Sequence, residues 1–274
     1  MSTRRAMERL LGPIYRIPST PRVAIGYLVI GTKRGGSTSL AEWVSRHPGV
    51  APCRSGKGTH YFDTNYHRGA AWYASRFEKA SERWRTTGES SPYYMYHPAA
   101  PERIAAILPH VKLIAVLRDP VERAWSQYQY EVARGYETET FEKALDMEPA
   151  RIKGERERLL ADTSYEGFAY RHHGYLERGH YADQLEQIYR FFPPEQVLLV
   201  QSERMFADPN AELRRVWAFL DLEPVRLDGV EPRNAAQNPR ELEPAAADRL
   251  WAYYRPLNER LYAQPGVDFR WDRQ

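Results

Sequence analysis

Two stretches, LVIGTKRGGSTSL at residues 28–40 and VKLIAVLRDPVERAWSQYQYEVARG at residues 111–135, decide how this chain folds. In the first, the apolar run Tyr27 to Ile30 ends in Gly31, and a loop rich in glycine and hydroxyl residues follows. SLAEWVSRHP then alternates apolar and polar residues at helical spacing and predicts a helix over 37–47. Strand, glycine-rich loop and helix together present backbone N–H groups and a helix N-terminus to a phosphate. From Gly31 to Gly36 the spacing fits G-x4-G, but Ser37 and Thr38 stand where a Walker A loop carries Lys and then Ser/Thr. The cations, Lys33 and Arg34, come before the glycines instead. A nucleotide kinase without the loop lysine lacks a central catalytic charge. The loop therefore predicts phosphate binding for something other than ordinary ATP chemistry.

The second stretch predicts a second phosphate site. Val111 to Leu117 is an almost continuous apolar run of strand length, as in a parallel strand buried on both faces, and a strand is expected over 112–118. Asp119 as N-cap, Pro120 at the first helical position and Glu122 closing a capping box start a helix over 120–134. Arg118 sits at the strand tip and Ser126 about two turns into the helix. A guanidinium and a hydroxyl so placed can clamp a phosphate. Arg118 can equally pair with a neighbouring acid, and that alternative stays open.

KRGGSTS followed by LRDPVERAWSQY resembles the two cofactor motifs of sulfotransferases that use 3′-phosphoadenosine 5′-phosphosulfate (PAPS), most closely the heparan-sulfate-type branch and its bacterial relatives. KGTHYFD (57–63), GESSPYYMYHP (88–98) and RGHYADQLEQIYRFFPPEQVLLVQSERM (178–205) extend the resemblance over roughly 27–222. It implies one α/β domain across 1–274, three-layered around a central parallel sheet and related to P-loop kinases, with 1–24 as a peripheral N-terminal segment. It also implies that Lys33, Arg34, Gly35, Gly36, Ser37 and Thr38 wrap the 5′-phosphosulfate while Arg118 and Ser126 hold the 3′-phosphate. Sulfuryl transfer handles less negative charge than phosphoryl transfer, so the family needs no metal. Adenosine 3′,5′-bisphosphate (PAP) is the expected product.

The chain departs from that branch at three positions. Arg34 stands where many members have the lysine that stabilises the leaving oxygen; it can do the same electrostatic work, with Lys33 adjacent. Gly58 replaces a glutamate used as base by the glycosaminoglycan enzymes, and Ser90 replaces a lysine that often follows the Glu of GESSP. His60 becomes the expected base, because a neutral imidazole suits proton abstraction near neutral pH. Asp63 and Glu89 are weaker candidates for the base, and each could equally cap a helix or orient His60. In the polar loop 227–242, Arg233 and Asn234 are candidates for a basic contribution to the nucleotide. The acceptor expected is a hydroxyl, or less readily an amine, on a glycan, glycolipid or small molecule. A small-molecule kinase and a nucleotide-binding protein without catalysis are the alternatives.

The remaining features bound the picture. Basic residues number 39 and acidic ones 36, a net charge of +3 that gives no reason to expect a nucleic-acid partner. The single cysteine, Cys53, excludes an intramolecular disulfide. The basic start MSTRRAMERLLGPIYRIPSTPR lacks an apolar leader core, and no stretch has the length of a membrane span. A bacterial-type cytoplasmic enzyme is therefore expected. Helices are predicted near 66–80, 98–108, 140–148 and 180–191, over the Asp208-capped DPNAELRRVWAFLDL, and over AADRLWAYYRPLNERLYA. A strand is predicted from Val197 to Glu203. Residues 151–175 read as a charged, aromatic loop and are the expected place of acceptor recognition. His172, His173 and His180 invite a zinc reading, but adjacent histidines usually diverge, and no metal is assigned.

Overall fold

The computed structural model describes residues 22–56, 58–231 and 241–271. β1 (Ile25–Gly31) is the central strand. α1 (Ser37–Ser45), β2 (Val50–Ala51), α2 (Gly69–Ala74), β3 (Thr86–Ser90), α3 (Ala100–Ile107) and β4 (Lys112–Leu117) follow. Next come α4 (Pro120–Ala133), α5 (Phe141–Ile152), α6 (Glu155–Ala161), α7 (Phe168–His173), α8 (Tyr181–Tyr189) and β5 (Val197–Gln201). α9 (Ser202–Ala207), α10 (Pro209–Phe219) and α11 (Pro244–Tyr262) complete the described elements. The strands form one parallel sheet in the order β2-β3-β1-β4-β5.

Because side chains alternate across a strand, the apolar runs of β1, β4 and β5 feed two cores. Leu28, Ile30, Leu113, Ala115, Leu117 and Leu199 face one side with Ile104 of α3, Leu185 and Ile188 of α8 and Leu261 of α11. Tyr27, Val29, Ile114, Val116 and Val200 face the other, against Leu40, Trp43 and Val44 of α1 and Leu213, Val216 and Trp217 of α10. The expected three-layer α/β arrangement around a parallel sheet is thus present.

Several local expectations need correction. Residues 66–80 hold only a 3-10 turn at Tyr66–Arg68 and the short α2. The segment 151–175 is largely helical, through the end of α5, α6 and α7, instead of a loop. The last strand stops at Gln201, where α9 begins. β3, sequence TTGES, lacks the apolar run that marks a buried strand, yet all five of its residues are buried. It is small and polar because it packs tightly: a Cβ at Gly88 would sit 2.6 Å from ring carbons of Tyr27, and Thr87 donates its hydroxyl to the Ala51 carbonyl at 2.8 Å. Asp119 caps α4 by accepting from the N–H of Val121 and Glu122. The capping box is not closed by Glu122, however; the Asp119 N–H donates to Glu203 at 2.9 Å. Asp208 caps α10 as expected. The expected N-terminal segment, apart from residues 22–24, and Lys57, Arg233 and Asn234 lie outside the described residues.

Candidate active site

The β1–α1 loop is shaped by close approach. The Thr32 N–H donates to Val116 of β4 at 2.7 Å and the Gly35 N–H turns back to the Thr32 carbonyl at 3.0 Å. A Cβ on Gly35 would lie 2.6 Å from the Val116 carbonyl oxygen. Gly36 has φ +101° and a Cβ there would meet the Met205 methyl at 2.7 Å. Only glycine fits either position. Arg34 itself takes φ +72°, a region non-glycine residues seldom occupy. α1 begins at Ser37, directly after Gly36, so its N-terminal amides stand at the loop.

This loop forms one wall of a cavity of about 660 Å³, through Lys33, Arg34, Ser37 and Thr38. His60, Glu89, Ser90 and Tyr93 contribute a second wall, and Arg134, Arg171, His172 and Arg178 a third. The half-buried Cys53 also lines it. Arg34 Nε donates to Ser126 Oγ at 3.0 Å, which joins the two motifs physically. Its guanidinium carbon also lies 4.8 Å from the Tyr130 ring centre. Lys33 Nζ pairs with Glu131 and donates to the Arg171 carbonyl at 3.3 Å. Burial, with Arg178 nearby, outweighs Glu131 and pulls the Lys33 ammonium down to about 7. The other oxygen of the fully buried Glu131 is 3.0 Å from His172 Nδ1.

The second wall is organised by two carboxylates. Glu89 accepts from the Thr59 N–H and hydroxyl (both 2.7 Å), Ser91 Oγ (2.6 Å) and Tyr94 OH (2.7 Å). Ser91 Oγ in turn accepts the His60 N–H at 3.0 Å. Glu89 therefore neither caps a helix nor touches the imidazole; it fixes the backbone that carries it. Asp63 touches it directly: Oδ2 lies 2.8 Å from His60 Nδ1. Burial alone would lower the His60 pKa, but the charge and hydrogen bond of Asp63 reverse the sign and raise it. Asp63, buried yet stabilised by the same imidazole and the Thr64 N–H, titrates below its ordinary value.

The structure thus gathers Lys33, Arg34, Ser37, Thr38 and His60 around one cavity, with Ser126 reached through Arg34; Gly35 and Gly36 do not line it but pack the loop against Val116 and Met205. Arg118 stands apart at the end of β4, paired with Glu122 at 3.1 Å, and does not line the cavity. The three histidines diverge: His172 meets Glu131, His173 the Tyr136 carbonyl, and His180 the Tyr253 hydroxyl. Glu131, Arg171, Arg178 and Tyr130 were not singled out from sequence. Glu131 carries a signal in hindsight, an acid in register with Val121, Ala124 and Gln127 on the buried face of α4. Nothing local marks Arg171, and Arg178 shows only as the first residue of the stretch 178–205; the fold of 151–178 brings both to the cavity.

These features place the chain among α/β proteins whose first strand, loop and helix form an anion cradle. It belongs to the sulfotransferase family: the sulfotransferase-domain profile matches residues 26–251. It is 32% identical over 268 residues to mouse heparan sulfate glucosamine 3-O-sulfotransferase 3A1, covering 89% of this chain and 64% of that one. A membrane-associated sulfotransferase of Dictyostelium discoideum, kil1, is 26% identical, covering 89% and 66%. A sulfotransferase crystal structure from Alicyclobacillus acidocaldarius superimposes with TM-score 0.70 at 25% identity, over 89% of this chain and 97% of that one. The chain spans a little under two thirds of the length of the heparan-type relatives such as 3A1. Among the described residues, no helix is long and apolar enough to cross a membrane.

Proposed function

We propose that this sulfotransferase moves a sulfuryl group from PAPS to a hydroxyl, or less readily an amine, of a glycan, glycolipid or small-molecule acceptor. The observation that carries this reading is the 3.0 Å contact between Arg34 and Ser126. It joins the loop suited to a 5′-phosphosulfate to the helix suited to a 3′-phosphate, as a bisphosphorylated donor requires. The donor set fits: two basic side chains and the Ser37 and Thr38 hydroxyls line one cavity at the N-terminus of α1, on a loop that Gly35 and Gly36 let pack against Val116 and Met205.

When bound, PAPS supplies an activated sulfuryl group on a phosphate leaving group. Arg34 and the loop amides stabilise charge on the departing phosphate oxygen, with Lys33 beside them. Ser37 and Thr38 hold the same end, and Ser126 with Arg118 receives the 3′-phosphate once Arg118 leaves Glu122. Asp63 holds His60 through Nδ1, so Nε2 is the nitrogen that takes the acceptor's proton. Gly58 supports this assignment of the base. A Cβ there would lie 2.5 Å from Ser91 Oγ and closer still to the Ser90 carbonyl oxygen, so no carboxylate can be accommodated at 58 without moving β3.

The glycan choice is supported by the relatives named for heparan sulfate glucosamine; Gly58 and Ser90 support leaving small molecules open. The test is PAP release and sulfur-35 transfer from labelled PAPS across glycan and small-molecule acceptors. Acceptor-dependent label transfer is expected. Binding of PAPS with neither transfer nor hydrolysis would instead indicate a nucleotide-binding protein without catalysis.

A further inference from the structure

Tyr130 collects an unusual set of neighbours. Its ring centre lies 4.8 Å from the Arg34 guanidinium carbon, 5.7 Å from Lys33 Nζ and 5.3 Å from the Arg134 guanidinium carbon. Three cations thus surround one ring at the cavity edge, and Tyr130 remains 36% exposed. It sits one helical turn after Ser126 on α4, so ring and hydroxyl face the same guanidinium from successive turns. Cations gathered in a partly dry cavity repel one another unless something between them carries negative potential. The face of a tyrosine ring does.

We infer that Tyr130 is a positioning residue for Arg34, holding its guanidinium for the 5′-phosphate end of the donor. The inference rests on the PAPS reading above and adds a residue to it. While Arg34 donates to Ser126, its side chain reaches toward the 3′-phosphate hydroxyl. In the reaction it is needed at the leaving oxygen, and Ser126 is needed by the other phosphate. The ring offers the guanidinium a flat, electron-rich surface on which it can pivot between these places without losing its electrostatic partner. Packing alone does not account for the arrangement, because an apolar side chain of similar bulk supplies no attraction to a cation.

The test compares wild type with Tyr130→Phe, Tyr130→Leu and Tyr130→Ala by calorimetric titration with PAP and with adenosine 3′-monophosphate. Since Tyr130 is partly exposed, the variants are expected to fold, and thermal melts check this. Expected is a loss of PAP affinity of about three- to tenfold in the Leu and Ala variants. Adenosine 3′-monophosphate affinity should be unchanged in both, and Phe should restore wild-type values. With PAPS as substrate, the same two variants should lose kcat beyond their loss of affinity. Wild-type PAP affinity and turnover in Tyr130→Leu, or equal losses for both nucleotides, would overturn the inference. Failure of the wild type itself to bind PAP would instead overturn the donor assignment.

Discussion

The imidazole of His60 and the carboxylate of Asp63, three residues apart, meet at 2.8 Å between Nδ1 and Oδ2. The aspartate is fully buried and the histidine side chain 31% exposed. The pair thus has an inner, anionic end and an outer end that opens to the cavity. Since Asp63 raises the His60 pKa above 6.5, the imidazole is charged, and inactive as a base, over a wider acid range. Turnover should therefore rise with pH through a value above 6.5. In Asp63→Asn the acid limb of the pH profile should move down, with a lower plateau. A limb that stays in place in this variant would separate His60 from the proton transfer.

Removing the base outright makes a sharper prediction. His60→Ala should reduce turnover by about two to four orders of magnitude, the usual contribution of general base catalysis, while PAP affinity stays close to wild type. Turnover at the wild-type rate would remove His60 from the mechanism.

Restoring a carboxylate at position 58 should not help. Gly58→Glu places a side chain against the Ser90 carbonyl and Ser91 Oγ, the hydroxyl that holds the His60 N–H. The variant should lose about 1–3 kcal/mol of stability, as overpacked sites do, and lose turnover with it. Chemical denaturation alongside kinetics checks both; a stable variant with increased turnover would show that β3 yields at this point.

Much of this arrangement was legible in the sequence, and the exceptions share a cause. β1, β4 and the two loops announce themselves because buried parallel strands are apolar throughout and the phosphate cradle needs glycine at fixed places. β3 did not, since close packing of Gly88 on Tyr27 favours small polar residues over an apolar run. The helices of 151–175 are short and charged, and tertiary contacts stabilise them more than periodicity does. Glu148, for example, accepts the N–H groups of Tyr175, Leu176 and Glu177 at 2.6–2.8 Å and fixes the turn that leads to Arg178. Such long-range placement also hid the Lys33–Glu131–His172 chain. Its members are 98 and 41 residues apart in sequence.

That chain carries its own prediction. With burial pulling its pKa down to about 7, Lys33 gives up its proton far more readily than a solvated lysine. An added phosphate favours the ammonium and raises that pKa. PAP binding at pH 8, where the nucleotide's phosphates are already deprotonated, should therefore take up protons. Calorimetry in buffers of different ionisation enthalpy measures this, and Lys33→Met should abolish it. Proton release, or uptake that survives in Lys33→Met, would contradict the assignment.

The central claim is that the chain binds both phosphates of a 3′,5′-bisphosphorylated nucleotide, the 5′ end at Arg34 in the cavity and the 3′ end at Ser126 and Arg118 beside it. A thermal-shift titration with PAP, beside 5′-AMP and Mg·ATP, tests it most directly. At 100 times its dissociation constant a ligand stabilises the folded state by about 2.7 kcal/mol, a readily measured shift. PAP should stabilise the protein well beyond 5′-AMP, and Arg118→Ala should reduce the difference. Stabilisation by Mg·ATP with no response to PAP would contradict the account.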